Sequence, residues 1–310
     1  MGVSETLKWR KLAPASTNNS VAIPPRYEHA AVIIPGSESA ASQLLVMYGA
    51  GNDGLLNDVW TFDLDKQQWT SLCTKGTAPS ARTLRSVAAI EDQRSGSRRV
   101  YIFGGGAEHD KAVDDGCVYC FDVGGLIMEA THSVIDETQQ PAPAPRLGHT
   151  FTAVGTKIYL FGGMAGDVTF DDVWVFDTVS REWKCLEGTG DVPSPRSGHS
   201  ATVNRDKIYV YGGLTRTPKT QAFEDVYVFE TVHTVWTKLD PASLPPGPPG
   251  ARLGHDACAI TEYAPLIGSM ADADPSNTTA QIAITAKDAM VVFAGMDLGG
   301  MYNSVYLLEV

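Results

Sequence analysis

The segment from Pro145 to Trp183 sets the pattern for the whole chain. It opens with Arg146 and His149 and continues as an alternating run of small and apolar residues to Val154. A β-branched and aromatic run from Ile158 to Phe161 follows and closes on Gly162-Gly163. After a polar loop come a third alternating run, Val173 to Phe176, and a short fourth one around Trp183. Period-two alternation punctuated by glycine and polar residues predicts four short antiparallel strands joined as a meander. A four-stranded meander alone cannot bury both of its faces.

Repetition solves that problem, and the same order recurs along the chain. Arg-x-x-His starts stand at Arg26/His29, Arg146/His149, Arg196/His199 and Arg252/His255, and a degenerate start at Arg82 has Arg85 in the histidine's place. Glycines close the second strand at Gly49-Ala50-Gly51, Gly104-Gly105, Gly162-Gly163 and Gly212-Gly213, with Ala294-Gly295 in the last unit. An aromatic marks each third strand, at Trp60, Tyr119, Trp174, Tyr227 and Tyr306, and nine positions later come Trp69, Met128, Trp183 and Trp236. Sheets repeated around an axis bury their faces on one another, which is the β-propeller arrangement. The sequence therefore reads as all-β, a single propeller of five four-stranded blades over residues 26–76, 82–140, 146–190, 196–240 and 252–310, with six as the alternative count. The last blade lacks a fourth strand. Leu7 to Leu12, whose Trp9 resembles Trp236, is expected to supply it and close the ring without an open sheet edge.

Insertions fall between first and second strands at Pro35 to Ser42, Glu91 to Arg99 and Thr261 to Asp288. The last is polar and rich in small residues, and is expected to be mobile. Proline-rich stretches, Pro141 to Pro145 and Pro241 to Pro249, read as stiff links between blades because the pattern continues across them.

Composition narrows the partner class. A net charge of -12 argues against nucleic acid or an anionic membrane, which draw their affinity from Lys and Arg, and leaves basic partner surfaces open. Neither a signal peptide nor a transmembrane stretch is legible. Met1-Gly2 is a weak match to a myristoylation signal, and the glycosylation matches at Asn18 and Asn277 matter only in a secreted chain. The five cysteines, Cys73, Cys117, Cys120, Cys185 and Cys258, read as reduced thiols of a soluble cytoplasmic protein. Cys117 and Cys120 are three apart on a strand, so they point to opposite faces and make neither a disulfide nor half a zinc site.

The order Arg-x-x-His, Gly-Gly, aromatic, Trp is similar to the kelch repeat and covers nearly the whole chain. WD-repeat propellers share the Gly-His pairs at His149, His199 and His255, but no Trp here is followed by Asp. Within the kelch superfamily, PPRYEHAAVIIP (Pro24 to Pro35), the PSPR start, GTKIYLFGGMAGD (Gly155 to Asp167) and the long insertion in the last blade resemble the kelch-only Rab-GTPase effector family of endosome-to-Golgi transport. Members of that family carry six repeats where five are counted here. The resemblance implies a non-catalytic binding scaffold, and a monomer without metal or cofactor is expected. Its partner would be a protein, a small GTPase in that family, and its place the cytoplasm, peripheral on endosomal membranes. A substrate adaptor of a ubiquitin ligase is one alternative. A metal-assisted kelch enzyme is another, but the Glu-x-x-x-Asp-x-x-x-His spacing of the iron-dependent plant members is absent.

Candidate chemistry follows the repeat. His29, His149, His199 and His255 could ring the pore as metal ligands, yet a residue used once per blade is more simply hydrogen-bonded to a neighbouring strand. The repeated arginines find candidate ion-pair partners in Asp58, Asp172 and Asp225, which leaves Arg82 and Arg252 available to a ligand. Asp114-Asp115 and Asp171-Asp172 read as turn formers and solvated charges. The aromatics of third and fourth strands read as inter-blade packing. Variable loops follow the glycines, and these loops emerge on one rim together with the Arg-x-x-His starts. Partner contact is therefore expected at Asp53, at Glu108, His109, Asp110 and Lys111, at Asp167, at Arg216 and Lys219, and at Asp297.

Overall fold

The structure is a computed structural model that describes residues 22–34, 42–84, 86–91, 96–107, 111–132, 141–240, 250–251, 254–263, 287–293 and 305–309, with backbone alone for 132, 256–263, 287–293 and 305–309. The fold is all-β, and among the described residues there is no helix. Five blade sheets follow one another along the chain. Blade 1 pairs Ala30–Ile34, Gln43–Met47, Val59–Asp63 and Gln68–Leu72 in that order. Blade 3 does the same with Thr150–Val154, Lys157–Phe161, Val173–Asp177 and Glu182–Leu186. Blade 2 (Ala88–Glu91, Arg98–Phe103, Val118–Asp122, Ile127–His132) and blade 4 (Ser200–Asn204, Lys207–Tyr211, Val226–Glu230, Val235–Lys238) repeat the meander. Blade 5 contributes three strands, Asp256–Tyr263, Lys287–Phe293 and Val305–Glu309. The closing strand expected at 7–12 and the Arg252 start lie outside the described residues.

The chain divides into two compact units, Met1–Ile135 with blades 1 and 2, and Asp136–Val310 with blades 3 to 5. In each, the period-two pattern places alternate residues on opposite faces of a blade. Leu45, Met47 and Val59 of blade 1 pack with Val100, Ile102, Tyr119 and Phe121 of blade 2. Tyr159, Phe161, Val173 and Val175 of blade 3 pack with Ile208, Val210, Phe229 and Trp236 of blade 4, and the Phe161 and Trp236 rings lie 4.9 Å apart. Trp183 and Trp236 at the blade edges are thus core, as is Met128 in the same position of blade 2, while Trp69 of blade 1 is half-buried.

What holds each of blades 1 to 4 to its loops is a buried arginine. In blade 3 the Arg146 guanidinium, 1% exposed, donates from Nε to the Ala144 carbonyl at 3.0 Å and from Nη1 to the Gly162 carbonyl at 3.0 Å. It also grips Asp172 with both Nη atoms, at 2.5 and 3.0 Å, while Trp174 Nε1 donates to the same carboxylate at 2.7 Å. Blade 1 repeats the cage with Arg26, the Tyr48 carbonyl, Asp58 and Trp60. In blade 4, Arg196 meets the Gly212 carbonyl and Asp225, and its guanidinium lies 4.4 Å from the Phe223 ring centre. Bidentate, charge-assisted pairing is the geometry arginine is suited to, and a removed partner would leave a buried charge uncompensated.

Blade 2 departs from the reading of the sequence. Arg82 is not available to a ligand: it is fully buried, donates to the Gly104 carbonyl at 2.9 Å, and pairs with Asp115 at 2.5 Å. Asp115 is therefore a cage residue and no solvated turn charge. It escaped notice because Asp58, Asp172 and Asp225 stand two positions before the strand aromatic, whereas Asp115 stands four before Tyr119. The phenol oxygen of Tyr119 bridges the longer gap by donating to Asp115 at 3.1 Å.

The cage is joined to the preceding blade through the arginine's backbone. Gly49 N donates to the Arg82 carbonyl at 3.0 Å, and Gly163 N to the Arg196 carbonyl at 2.8 Å. These glycines have φ of 97° and 95°, and a Cβ on Gly163 would come within 2.8 Å of His149 Cβ and 2.9 Å of the Leu147 carbonyl oxygen. In blade 1 the pair is Tyr48-Gly49, not the Gly49-Ala50-Gly51 read from the sequence: Gly49 takes the place of Gly163, and Tyr48 holds φ 61° where blades 2, 3 and 4 use Gly104, Gly162 and Gly212.

Blades 2 and 4 keep the expected four strands and gain a fifth. The chain leaving blade 1 adds Lys75–Gly76 in parallel to Ile127–His132, and the chain leaving blade 3 adds Thr189–Gly190 in parallel to Val235–Lys238. The outer edge of each sheet is thereby covered over part of its length, which lowers its capacity to pair with another chain. Gly76 and Gly190 make the approach possible, since a Cβ would lie 2.3 Å from the Met128 or Trp236 carbonyl oxygen.

Three measurements test this frame. Asp115→Ala should cost about 3 kcal/mol in denaturant unfolding, because Arg82 is left buried and unpaired, whereas Asp114→Ala should change stability by no more than about 0.5 kcal/mol. Gly163→Ala should destabilise by more than the ~1–2 kcal/mol that the φ alone costs, while Gly166→Ala, with φ 57° and nothing within 4 Å of its added Cβ, should cost no more than that strain. Hydrogen bonding from Arg26 holds the Asp58 carboxyl below its ordinary value of 3.8. A depressed folded-state pKa contributes stability that is present above the unfolded value and lost as pH falls through the folded one. The stability difference between the native chain and Asp58→Asn should therefore be full above about pH 5 and shrink as the pH is taken below about 4.

Candidate functional site

In a meander the loop from second to third strand and the link entering the first strand leave the sheet at the same end. The cages sit there, so each of blades 1 to 4 delivers its variable loop from a fixed point. In three blades the loop is a two-residue ribbon: Ala50–Gly51 with Gly54–Leu55, Met164–Ala165 with Val168–Thr169, and Leu214–Thr215 with Gln221–Ala222. A further backbone bridge joins it to the residue after the cage arginine: Tyr27 to Ala50, Leu147 to Met164, Ser197 to Leu214, and in blade 2 Thr83 to Gly106.

The candidate contact residues fall on these ribbons. In the first unit Asp53 is exposed at the tip of the blade 1 ribbon and Lys111 is exposed in the blade 2 loop. Glu108, His109 and Asp110 lie outside the described residues, as does Asp297 of blade 5. In the second unit Asp167, Arg216 and Lys219 are all exposed. The structure brings the loops bearing these three together: Thr217 Oγ1 donates to the Asp167 carbonyl at 2.8 Å, and Thr215 Oγ1 donates to the Thr217 carbonyl at 3.1 Å. Two loops of adjacent blades thus form one tethered platform. Among the described residues Asp53, Lys111, Asp167, Arg216 and Lys219 enter no ion pair, so their charges face solvent uncompensated.

Two of the repeated histidines, His199 and His255, do blade-to-blade work, whereas His29 of blade 1 is exposed. His199 Nε2 lies 3.1 Å from Thr150 Oγ1 of blade 3, and His255 Nε2 lies 2.8 Å from Ser200 Oγ of blade 4, in each case the residue next to the preceding blade's own histidine. His149, His199 and His255 are buried. The ring of His199 also stacks edge-on to Phe161 at 5.1 Å. Such a seam bond needs one ring nitrogen and a hydroxyl, which is why Thr or Ser follows the histidine in both blades. Cys117 and Cys120 are buried, and burial raises the Cys120 thiol above its ordinary pKa. At the loop end of the first unit stands a residue that sequence reasoning passed over: Tyr27, 63% exposed, between the cage arginine and Glu28. No periodicity marks it, because the bridge it makes is a backbone one.

Comparison with known proteins matches residues 93–269 to a family model described as the KLHDC2/KLHL20/DRC7 Kelch-repeats domain. The Rab9 effector protein with kelch motifs of Rattus norvegicus is 37% identical over 238 residues, covering 76% of this chain and 58% of that protein. The protein of the same description from Bos taurus is 35% identical over 150 residues, 48% of this chain and 37% of its own length. Host cell factor 2 of Homo sapiens is 28% identical over 173 residues, 50% of this chain and 21% of its own. The chain thus spans between about a third and three-fifths of the length of the first relatives it matches. No helix among the described residues is long and apolar enough to cross a membrane. With the blade meanders, the arginine start and the glycine pair all in place, the chain belongs to the kelch-repeat family described as the KLHDC2/KLHL20/DRC7 Kelch-repeats domain.

Proposed function

We propose that this chain is a non-catalytic scaffold that binds a protein partner through the loops at the arginine-cage end of its blades, as a single monomeric propeller. The observation that carries the reading is the contrast between frame and loops. Four blades share one cage, yet the loops issuing from it differ in length and charge, and those of the second unit are tethered through Thr217 and Asp167. Several short segments held on rigid elements can contact one partner at once and bury an interface of ordinary size. The relatives described as Rab9 effectors make a Rab-type small GTPase the favoured partner, and vesicle traffic at endosomal membranes, reached from the cytoplasm, the favoured setting.

The rival site is the insertion from Thr261 to Asp288, whose composition is poor in the aromatic and arginine residues that anchor interfaces. The experiment is capture of a Rab9-type GTPase, loaded with a GTP analogue or with GDP, on the immobilised chain. Binding is expected to the GTP-analogue form. Glu at both Arg216 and Lys219 should weaken it at least about tenfold, as reversal of two contact charges does. Replacing residues 271–281 by a Gly/Ser linker should leave it intact. Loss of capture on the linker exchange with none on charge reversal would move function to the other end of the blades.

A further inference from the structure

Tyr27 is the one exposed aromatic among the described residues, and the fold does not require it. The bridge at its position is made by backbone alone: Tyr27 N donates to the Ala50 carbonyl and Ala50 N to the Tyr27 carbonyl, each at 2.9 Å. Thr83, Leu147 and Ser197 make the same bridge in the other blades, so side chains as different as hydroxyl and isobutyl serve. Among the described residues neither the ring nor the hydroxyl of Tyr27 has a partner. The backbone beneath it is held residue by residue. Arg26 is locked in its cage, Tyr27 has both its N–H and its carbonyl bonded to Ala50, and the Glu28 carbonyl accepts from Leu84 N at 2.8 Å. A ring on so fixed a backbone has only its own two torsions to lose on binding, which is what makes tyrosine an efficient interface anchor.

The charge of the ribbon bridged to it indicates what it would hold. Asp53, exposed and without an ion pair, crowns the ribbon that begins opposite Tyr27 at Ala50, and the chain as a whole carries -12. An aromatic face in a negative field attracts a cation, and arginine best matches both ring and carboxylate, since its planar guanidinium stacks on the one and pairs with the other.

We infer that Tyr27 and Asp53 form a docking point for an arginine side chain on a basic segment of a protein partner. This rests on the reading that the loop end binds protein, and it adds a residue and a partner chemistry to that reading. The probes are three nonapeptides of Gly and Ser carrying three Arg, three Lys or three Glu. They are titrated into the full chain at low ionic strength and followed through the ring resonances of Tyr27. The Arg peptide should bind more tightly than the Lys peptide, and the Glu peptide should not shift the ring. Tyr27→Thr leaves the net charge unchanged and places there the residue that blade 2 carries at Thr83. It should keep the melting temperature and weaken Arg-peptide binding about threefold or more, read for the variant by peptide fluorescence. Tyr27→Phe should retain binding, and Asp53→Asn should weaken it. Undiminished binding to Tyr27→Thr, or equal binding of the Glu peptide, overturns the inference. If Tyr27→Thr is without effect while charge reversal at Arg216 and Lys219 abolishes GTPase capture, the docking point falls and the proposed function stands. If the peptide results hold and no GTPase is captured, the docking point stands and the choice of partner falls.

Discussion

A guanidinium buried in each of blades 1 to 4 is the interaction on which the rest of this structure depends. Arg26, Arg82, Arg146 and Arg196 each close three gaps at once: to their own link, to the carbonyl where the second strand ends, and to the aspartate where the third begins. A turn that must leave a strand on left-handed glycines exposes carbonyls that no strand can satisfy, and five fixed donors on one planar group satisfy them. The cost of burying the charge is offset because the carboxylate is supplied in the same turn. Since the Arg82 and Arg196 carbonyls also accept from a glycine amide of the preceding blade, Gly49 and Gly163, these two residues set both the loop's origin and the blade-to-blade contact.

Function follows from the separation this creates. With the carbonyls and the strand ends satisfied inside the cage, the ribbon beyond it carries no structural duty past its first pair of residues. It is free to differ. In blade 4 that freedom produces an exposed run holding Arg216 and Lys219, in blade 3 one holding Asp167, and in blade 1 a tip at Asp53 on the ribbon bridged to Tyr27. The seam histidines belong to the frame, since their ring nitrogens are engaged with Thr150 and Ser200.

Much of this was legible in the sequence, and the exceptions share a cause. Strands, glycine turns and three of the Arg–Asp pairs could be read because hydrophobic alternation and fixed spacing report on them directly. Asp115 could not, since Gly116 and Cys117 displace it from the register and only the reach of the Tyr119 hydroxyl restores the contact. Tyr48 was hidden because a non-glycine at positive φ reads as ordinary strand. The fifth strands at Lys75–Gly76 and Thr189–Gly190 were hidden because two residues pairing through backbone alone leave no periodic trace. Asp53, Lys111, Asp167, Arg216 and Lys219 were placed on exposed loops by topology alone, whereas the Thr217 tether and the exposure of Tyr27 depend on tertiary neighbours that no local pattern encodes.

The central claim is that the cage is rigid and the loops beyond it are not bound by it. Amide hydrogen exchange resolved by residue tests this most directly. The account predicts that Gly49 and Gly163, whose amides donate to the Arg82 and Arg196 carbonyls, exchange as slowly as the central strands, while Lys219 and Thr220 exchange at rates near those of an unstructured peptide. Rapid exchange at Gly49 and Gly163 would contradict it, because the arginine would then not be joining one blade to the next.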